Sequence, residues 1–108
     1  MKVIIVENKE IKLDMFLLQT ACFSAVKVWG NYIREIVITK EINDNNRVIK
    51  ELAKFAKISV KAFYTIEKMT DYADAIIIIG DKKNEEIQTL IKVAKEKRLM
   101  TYVHRTTS

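Results

Sequence analysis

Apolar residues along the chain gather in five short runs, most of them separated by longer amphipathic stretches. The runs cover residues 2–6, 35–39, 59–63, 75–79 and 101–103. The fourth run, Ala75-Ile-Ile-Ile-Ile79, has no polar position, which is typical of a strand buried on both faces of a parallel sheet. The stretches between runs carry apolar residues at helical spacing, as in Ile87, Leu90 and Ala94. The pattern predicts the order β-α-β-α-β, a short helix or turn at 66–72, and then β-α-β.

This order of elements predicts the fold class. Helical crossovers between parallel strands cover both faces of a sheet. We therefore expect an α/β protein, a three-layer α/β/α sandwich with a five-stranded parallel sheet, in which residues 1–108 form one domain. The second helix is predicted to begin at one of several N-cap candidates at 43–46 and to run to about Ala56. Ligands of open parallel sheets bind beyond the carboxyl ends of the strands, so the loops there are candidate sites.

The first helix, predicted from near Asp14 to about Ala25, has few polar positions. One apolar stripe consists of Leu13, Phe16, Leu17 and Thr20, and a second of Met15, Leu18, Ala21, Cys22 and Ala25. A helix that is apolar all round is covered on two sides. One side faces the sheet, and the other faces either a second subunit or the segment 26–33 of the same chain. The candidate interface residues are Met15, Leu18, Cys22, Trp29 and Tyr32. If Trp29 and Tyr32 are exposed, they are expected to anchor an interface, and if they are buried, they cover the core.

The amino-acid composition limits the kinds of functional site that the chain can form. With one cysteine and one histidine, an internal disulfide is excluded, and neither a metal centre nor a Cys-His nucleophile is expected. Cys22 lies in an apolar run and is interpreted as a packing residue, and its lone thiol suits a cytoplasmic location. No run approaches the ~20 apolar residues of a membrane helix, and residues 1–6 are too short for a signal sequence. Two glycines and no proline argue against a glycine-rich phosphate loop.

The segment Tyr72-Ala-Asp-Ala-Ile-Ile-Ile-Ile-Gly-Asp81, the helical stretch 84–97 and Leu99-Met-Thr-Tyr-Val-His-Arg105 follow one another without a gap. Together with the strands at 35–39 and 58–63 and the helix at 47–57, this spacing resembles the SLOG superfamily. That group contains the Rossmann-like domains of the YspA/YpsA-related and lysine-decarboxylase-like LOG proteins. The resemblance covers roughly 36–105 and implies a Rossmann-like fold and a nucleotide-derived ligand.

The chain departs from the family pattern at four places where the family binds phosphate. The Gly-Gly-x-x-Gly-Ala-Asp loop after the second strand corresponds to 40–46, which has no glycine. The Gly-Thr pair of the last helix corresponds to Glu86-Ile87, the Arg-Asn pair to Thr65-Ile66, and the first Gly-Ser-Arg loop to Glu7-Asn8-Lys9. The resemblance therefore implies a degenerate member that has kept the scaffold and lost its phosphate-binding turns.

A looser site built on lysine charges is the other interpretation of these loops. The candidate ligand-binding residues are Glu7, Asn8, Lys9, Lys40, Asn43, Asp44, Asp81, Lys82 and Lys83. Asp44 and Asp81 could contact a ribose hydroxyl, act as a general base, or cap their loops. Asp74 precedes its strand and is predicted to be a turn or cap residue at the opposite edge of the sheet.

A net charge of +5 is mildly basic, and Arg47, Lys50, Lys54 and Lys57 are predicted on one face of the second helix. Glu51 interrupts this stripe and no aromatic residues interleave with it, so a solvated helix face is favoured over a nucleic-acid surface.

These observations name no reaction, and enzymatic activity is not expected. The favoured hypothesis is a small non-catalytic protein that forms homo-oligomers and binds another macromolecule, as a phage or mobile-element accessory protein would. The alternative is a module that binds a nucleotide derivative of the ADP-ribose or NAD type at the carboxyl edge of the sheet. No resident cofactor is expected in either case.

Overall fold

The computed structural model describes residues 1–8 and 10–106. Strands and helices alternate along this part of the chain, which contains five strands and four helices. They are β1 (Lys2–Glu7), α1 (Met15–Trp29), β2 (Glu35–Thr39), α2 (Asp44–Ala56), β3 (Ser59–Phe63), α3 (Ile66–Tyr72), β4 (Ala75–Ile79), α4 (Glu85–Glu96) and β5 (Met100–His104). No helix in these two ranges has the length and apolarity needed to cross a bilayer.

The sheet formed by these residues has five parallel strands in the order β3-β2-β1-β4-β5. Ile4 in the central strand β1 is paired with Val37 of β2 and with Ile76 of β4. The chain moves outward from β1 to β3 and then returns across the sheet to β4. The direction of winding changes between β1 and β4, and open α/β sheets bind ligands outside the carboxyl ends of the strands at such a point.

Helices cover both faces of the sheet, so the predicted three-layer α/β/α sandwich is confirmed. Buried residues of α1 and α2, such as Leu18 and Leu52, form one core with alternate strand residues such as Ile77. Met69 of α3 and Ile87 of α4 form the second core with the intervening residues of the strands. Every residue of β4 is buried, which explains its uninterrupted apolar run.

The first helix differs from its prediction in length. It was expected to end near Ala25, but α1 continues to Trp29 and ends at Gly30, whose φ of 65° gives the left-handed cap. The turn predicted around Gly30 is therefore confirmed, and 26–29 are the last turn of α1 rather than a separate segment packed against it.

The two apolar stripes of α1 do not separate into a core face and an interface face, because both contribute residues to the core. Leu18, a predicted interface residue, is 0% exposed and lies in the core with Ala21 and Ala25. Phe16, predicted to share a stripe with the buried Leu13, is instead exposed to solvent. The reason is that α1 is apolar nearly all round, so its pattern does not indicate which stripe faces the sheet.

Candidate functional site

A crevice of about 430 Å³ opens at the carboxyl edge of the sheet. Its walls come from the ends of β1 and β2, the loops that follow them, and residues of α2, α3 and α4. The lining side chains are Ile5, Val6, Glu7, Glu10, Ile11, Lys12, Thr39, Glu41, Asn43, Asp44, Asn45, Asn46, Ile66, Glu86 and Leu90. The cavity therefore lies at the edge that the topology predicted.

Only part of the predicted ligand-binding set meets in this crevice. Glu7, Asn43 and Asp44 line it, whereas Asn8, Lys40, Asp81, Lys82 and Lys83 lie outside its lining, and Lys9 falls outside the described residues. The Nζ atom of Lys40 lies 4.2 Å from the centre of the Tyr64 ring. A cation held over this aromatic face is not directed at a ligand in the crevice.

Other predicted residues stabilise their own loops. Oδ1 of Asp81 accepts a hydrogen bond from the backbone N–H of Lys83 at 3.0 Å. The backbone N–H of Asn8 donates to the carbonyl of Ile79 at 3.1 Å, which continues the pairing of β1 with β4 by one residue. These contacts favour the loop-capping interpretation of Asp81.

The helix N-termini that face the carboxyl edge are capped by side chains. Oδ1 of Asn43 accepts from the N–H of Asn46 at 2.7 Å at the start of α2. Asn84 does the same for α4, accepting from the N–H groups of Glu86 and Ile87. A phosphate at a helix N-terminus needs these same amide donors, so each cap competes with it.

The charge of the crevice also disfavours an anion. Five carboxylates line it, those of Glu7, Glu10, Glu41, Asp44 and Glu86, and Lys12 is the one cation among its described lining residues. Burial raises the pKa of the Glu7 carboxyl, the hydrogen bond from Asn45 lowers it, and the nearby Glu41 charge raises it further. A dianionic phosphate here would meet charges of its own sign.

Two asparagines that were predicted only as N-cap candidates fix the shape of the crevice. Asn45 accepts from the N–H of Leu13 at 2.8 Å and donates from Nδ2 to the carbonyl of Ile11 at 2.8 Å. The buried Asn46 donates from Nδ2 to the carbonyls of Thr39 and Glu41. Polar side chains in these positions hold the loops after β1 and β2 against α2.

In the described part of the chain, no group of three His, Cys, Asp or Glu side chains is arranged to hold a metal ion.

A second concavity of about 510 Å³, here called the α1–α2 groove, lies on the opposite half of the molecule. It runs between the two helices towards their C-terminal ends, where 32–33, Ile36 of β2 and Ile58 just before β3 close it. It is lined by Gln19, Cys22, Phe23, Val26, Tyr32, Ile33, Ile36, Leu52, Phe55, Ala56 and Ile58. None of these described lining residues carries a charge.

Aromatic side chains project into solvent around this groove. Phe23, Tyr32 and Phe55 expose 81%, 80% and 84% of their surface. Phe16 lies seven residues before Phe23 on the same side of α1 and is 79% exposed. Three of these four side chains line the groove, and exposed apolar patches are typical of interaction surfaces.

The predicted interface residues fall in different places. Cys22 and Tyr32 line the groove, whereas Met15 and Trp29 lie outside its lining and pack, partly buried, against the core. Trp29 meets the Tyr102 ring edge-on, with 6.4 Å between ring centres, so it covers the core as a lid. Phe16, Phe23 and Phe55 were missed, because an aromatic residue in an amphipathic pattern is normally assigned to the core.

The thiol of Cys22 is a poor nucleophile at its position in the groove. Burial raises the pKa of its thiol to about 12, so the thiolate is scarce at neutral pH. Cys22 therefore contributes apolar surface to the groove and no nucleophile.

The Tyr-Ala-Asp-Ala run has a structural role at the amino edge of the sheet. Oδ2 of Asp74 accepts from the N–H of Lys2 at 2.9 Å, and the N–H of Asp74 donates to the carbonyl of Lys2. The hydroxyl of Tyr72 donates to Glu35, which raises the pKa of Tyr72. The position predicted for Asp74, a cap opposite the ligand edge, is confirmed.

Comparison with known proteins adds no relative. No protein-family model matches the chain, and no curated protein or solved structure is significantly similar to it. The functional assignment therefore depends on the geometry of the crevice and of the α1–α2 groove.

Proposed function

We propose that the chain is a non-catalytic protein-binding module whose binding surface is the α1–α2 groove. The observation that carries this proposal is the set of three aromatic side chains, Phe23, Tyr32 and Phe55, that line an uncharged concavity and are about four fifths exposed. Aromatic residues in such positions contribute most of the binding energy of protein interfaces. Exposed on a protein without a partner, the same side chains would promote non-specific association.

The polar groups of the crevice support a non-catalytic role. Thr39 is the one hydroxyl-bearing residue among its described lining residues, and its Oγ1 accepts from Asn46 Nδ2 at 3.3 Å. A nucleophile in acyl or phosphoryl transfer needs a base within hydrogen-bond reach. In the crevice, the amide side chains instead hold loops together.

Binding of an ADP-ribose or NAD-type molecule in the crevice is the alternative, and the size of the cavity favours it. The capped helix N-termini and the lining carboxylates oppose it, because both disfavour a diphosphate. Thermal unfolding with ADP-ribose, NAD and nucleoside monophosphates tests this alternative. A rise in melting temperature that Glu41→Lys increases and Lys12→Glu abolishes would favour the ligand over the protein partner. Membership of the SLOG superfamily as a degenerate member stays a prediction beside either function.

The protein-binding proposal is tested by site-specific photocrosslinking in cells that produce the chain. p-Benzoylphenylalanine is placed at Phe23, at Phe55 and, as a matched exposed aromatic outside the groove, at Tyr64. We expect discrete protein adducts from the two groove positions that disappear when Val26→Glu is added. Adducts that Val26→Glu leaves unchanged, or that form equally from Tyr64, would contradict the proposal.

A further inference from the structure

We propose that the occupant of the α1–α2 groove is the same groove of a second copy of this chain, in a twofold-symmetric dimer. This inference rests on the proposed function and adds the identity of the partner. Three observations on the α1–α2 groove and the exposed aromatic residues around it, together called the patch, support this inference. They are the shape of the patch, the placement of its charges and its area.

The patch contains both a projection and a cavity. Phe23 lines the groove and is nevertheless 81% exposed, so its ring stands at the lip of a concavity of about 510 Å³. In a twofold interface each subunit presents one surface to itself, so a projection must lie beside a cavity of suitable size. Phe23 of each copy can then enter the groove of the other, where Val26 and Leu52 provide apolar walls.

Lys27 on the α1 side and Glu51 on the α2 side have opposite charges, and Glu51 interrupts the cationic stripe of Arg47, Lys50 and Lys54 on α2. Lys27 is the only charged residue of α1, and it lies four residues after Phe23 on the same helix face. Glu51 lies four residues before Phe55 on α2, again on the same face. Both side chains are exposed, and neither is in an ion pair within residues 1–8 and 10–106.

A second copy supplies the complement of this arrangement when the twofold axis runs along the groove. That axis places the α1 side of one copy against the α2 side of the other, so that Lys27 approaches Glu51 of the partner subunit twice.

The area agrees with a dimer of ordinary size. An aromatic side chain has a surface of roughly 200 Å², so Phe16, Phe23, Tyr32 and Phe55 present on the order of 600 Å² between them. The walls of the groove add to this value. A specific interface needs about 800 Å² from each partner.

Sedimentation equilibrium from 5 to 200 µM tests the proposal. We expect the wild-type chain to be a dimer and Phe23→Glu and Phe55→Glu to be monomers, with Kd raised at least tenfold. Tyr64→Glu removes an exposed aromatic outside the groove and should remain a dimer. Far-UV circular dichroism and a cooperative urea unfolding transition show that each variant is folded. A monomeric wild type at 200 µM, or a Phe23→Glu dimer as stable as the wild type, would overturn the inference.

Charge reversal tests the twofold arrangement independently of hydrophobic contact. Lys27→Glu and Glu51→Lys are each expected to raise Kd by about 3- to 10-fold, since each places like charges together twice. The double variant Lys27→Glu/Glu51→Lys restores the pairing and should return Kd to near the wild-type value. Additive weakening in the double variant would contradict the arrangement.

The failure of this inference and that of the proposed function are distinguishable. A monomeric chain whose photo-adducts at Phe23 contain a different protein would overturn the dimer and leave the protein-binding function supported. A monomeric chain without groove-dependent adducts would overturn both.

Discussion

Asn45 and Leu13 are joined by a 2.8 Å hydrogen bond in which the backbone N–H of Leu13 donates to Oδ1 of Asn45. The Nδ2 group of the same side chain donates to the carbonyl of Ile11. One side-chain amide therefore both accepts from and donates to the backbone of the loop before α1. The contact spans 32 residues of sequence and fixes the wall of the crevice.

The first prediction concerns this amide. Asn45→Ala leaves two partly buried backbone groups without their partner and should lower the free energy of unfolding by about 1–3 kcal/mol. Asn45→Asp keeps the acceptor and puts an oxygen where the donor was, facing the Ile11 carbonyl and Glu7. Urea unfolding should find Asn45→Asp destabilised at pH 7 and closer to the wild type at pH 4. An aspartate variant as stable as the wild type at pH 7 would show that the donor contributes nothing.

The second prediction uses the pKa of Glu7. Burial, the largest cause, raises this pKa above its unfolded value, so the folded state prefers the protonated carboxyl. The associated stability is present below the unfolded pKa and is lost as pH rises through the folded pKa. Glu7→Gln cannot ionise and still offers Asn45 an acceptor, so its stability relative to the wild type should rise as pH increases from 4 to 7. Urea unfolding at several pH values measures this trend.

Glu10→Gln is the matched control for that experiment, because it removes an exposed carboxylate that lines the same crevice. If Glu10→Gln reproduces the trend, general charge repulsion in the crevice is responsible and burial of Glu7 is not.

The central strands β1, β2 and β4 were predictable from the sequence because burial on both faces produces a run of apolar residues. All five strand positions were confirmed to within one or two residues at their ends, and β4 is the clearest, with five buried residues in succession. The parallel order and the crevice at the carboxyl edge then follow from the alternation of strands and helices.

The orientation of α1 and the contacts of the asparagines were not predictable in the same way. A helix with apolar residues on nearly every side has no single face to assign, which is why Leu18 was predicted at an interface although it lies in the core, and why the exposure of Phe16 was missed. In the run 43–46, each residue can cap a helix. Only the tertiary structure shows that Asn43 does so, that Asn45 binds the distant backbone of 11–13, and that Asn46 binds the loop just before it.

The third prediction concerns the close approach of α4 to Gly80. A Cβ atom at this position would lie 3.1 Å from Cδ1 of Ile87 and 3.3 Å from Cβ of Asn8. Gly80→Ala should therefore destabilise the protein by about 1–3 kcal/mol. Ile87→Val removes the Cδ1 atom at a cost of about 0.5–1.5 kcal/mol, and the two changes together should cost less than their sum. A double-mutant cycle from urea unfolding measures this coupling, and strict additivity would show that the contact is not responsible.

The fourth prediction compares the left-handed caps of α1 and α2. Gly30 ends α1 with φ of 65°, and a Cβ atom added there would meet no other atom within 4 Å, so Gly30→Ala should cost about 1 kcal/mol from backbone strain alone. Lys57 ends α2 with φ of 57°, where a side chain is disfavoured. Lys57→Gly should stabilise the protein by a few tenths to about 1 kcal/mol, measured by thermal and urea unfolding. A destabilised Lys57→Gly would mean that its charge near the helix C-terminus outweighs the strain.

The fifth prediction tests the interpretation of Cys22. A thiol with a pKa of about 12 has far less thiolate at pH 8 than a free cysteine, whose pKa is about 8.5. Alkylation by iodoacetamide should therefore be at least ~100-fold slower in the folded protein than in urea, with mass spectrometry as the readout. Phe23→Glu keeps the cover that its own subunit gives to Cys22. If the groove is a dimer interface, the variant removes the additional cover given by the second copy. If Phe23→Glu is alkylated as slowly as the wild type, Cys22 is protected by burial within its own subunit. If the folded wild type is alkylated as fast as the protein in urea, the raised pKa is contradicted.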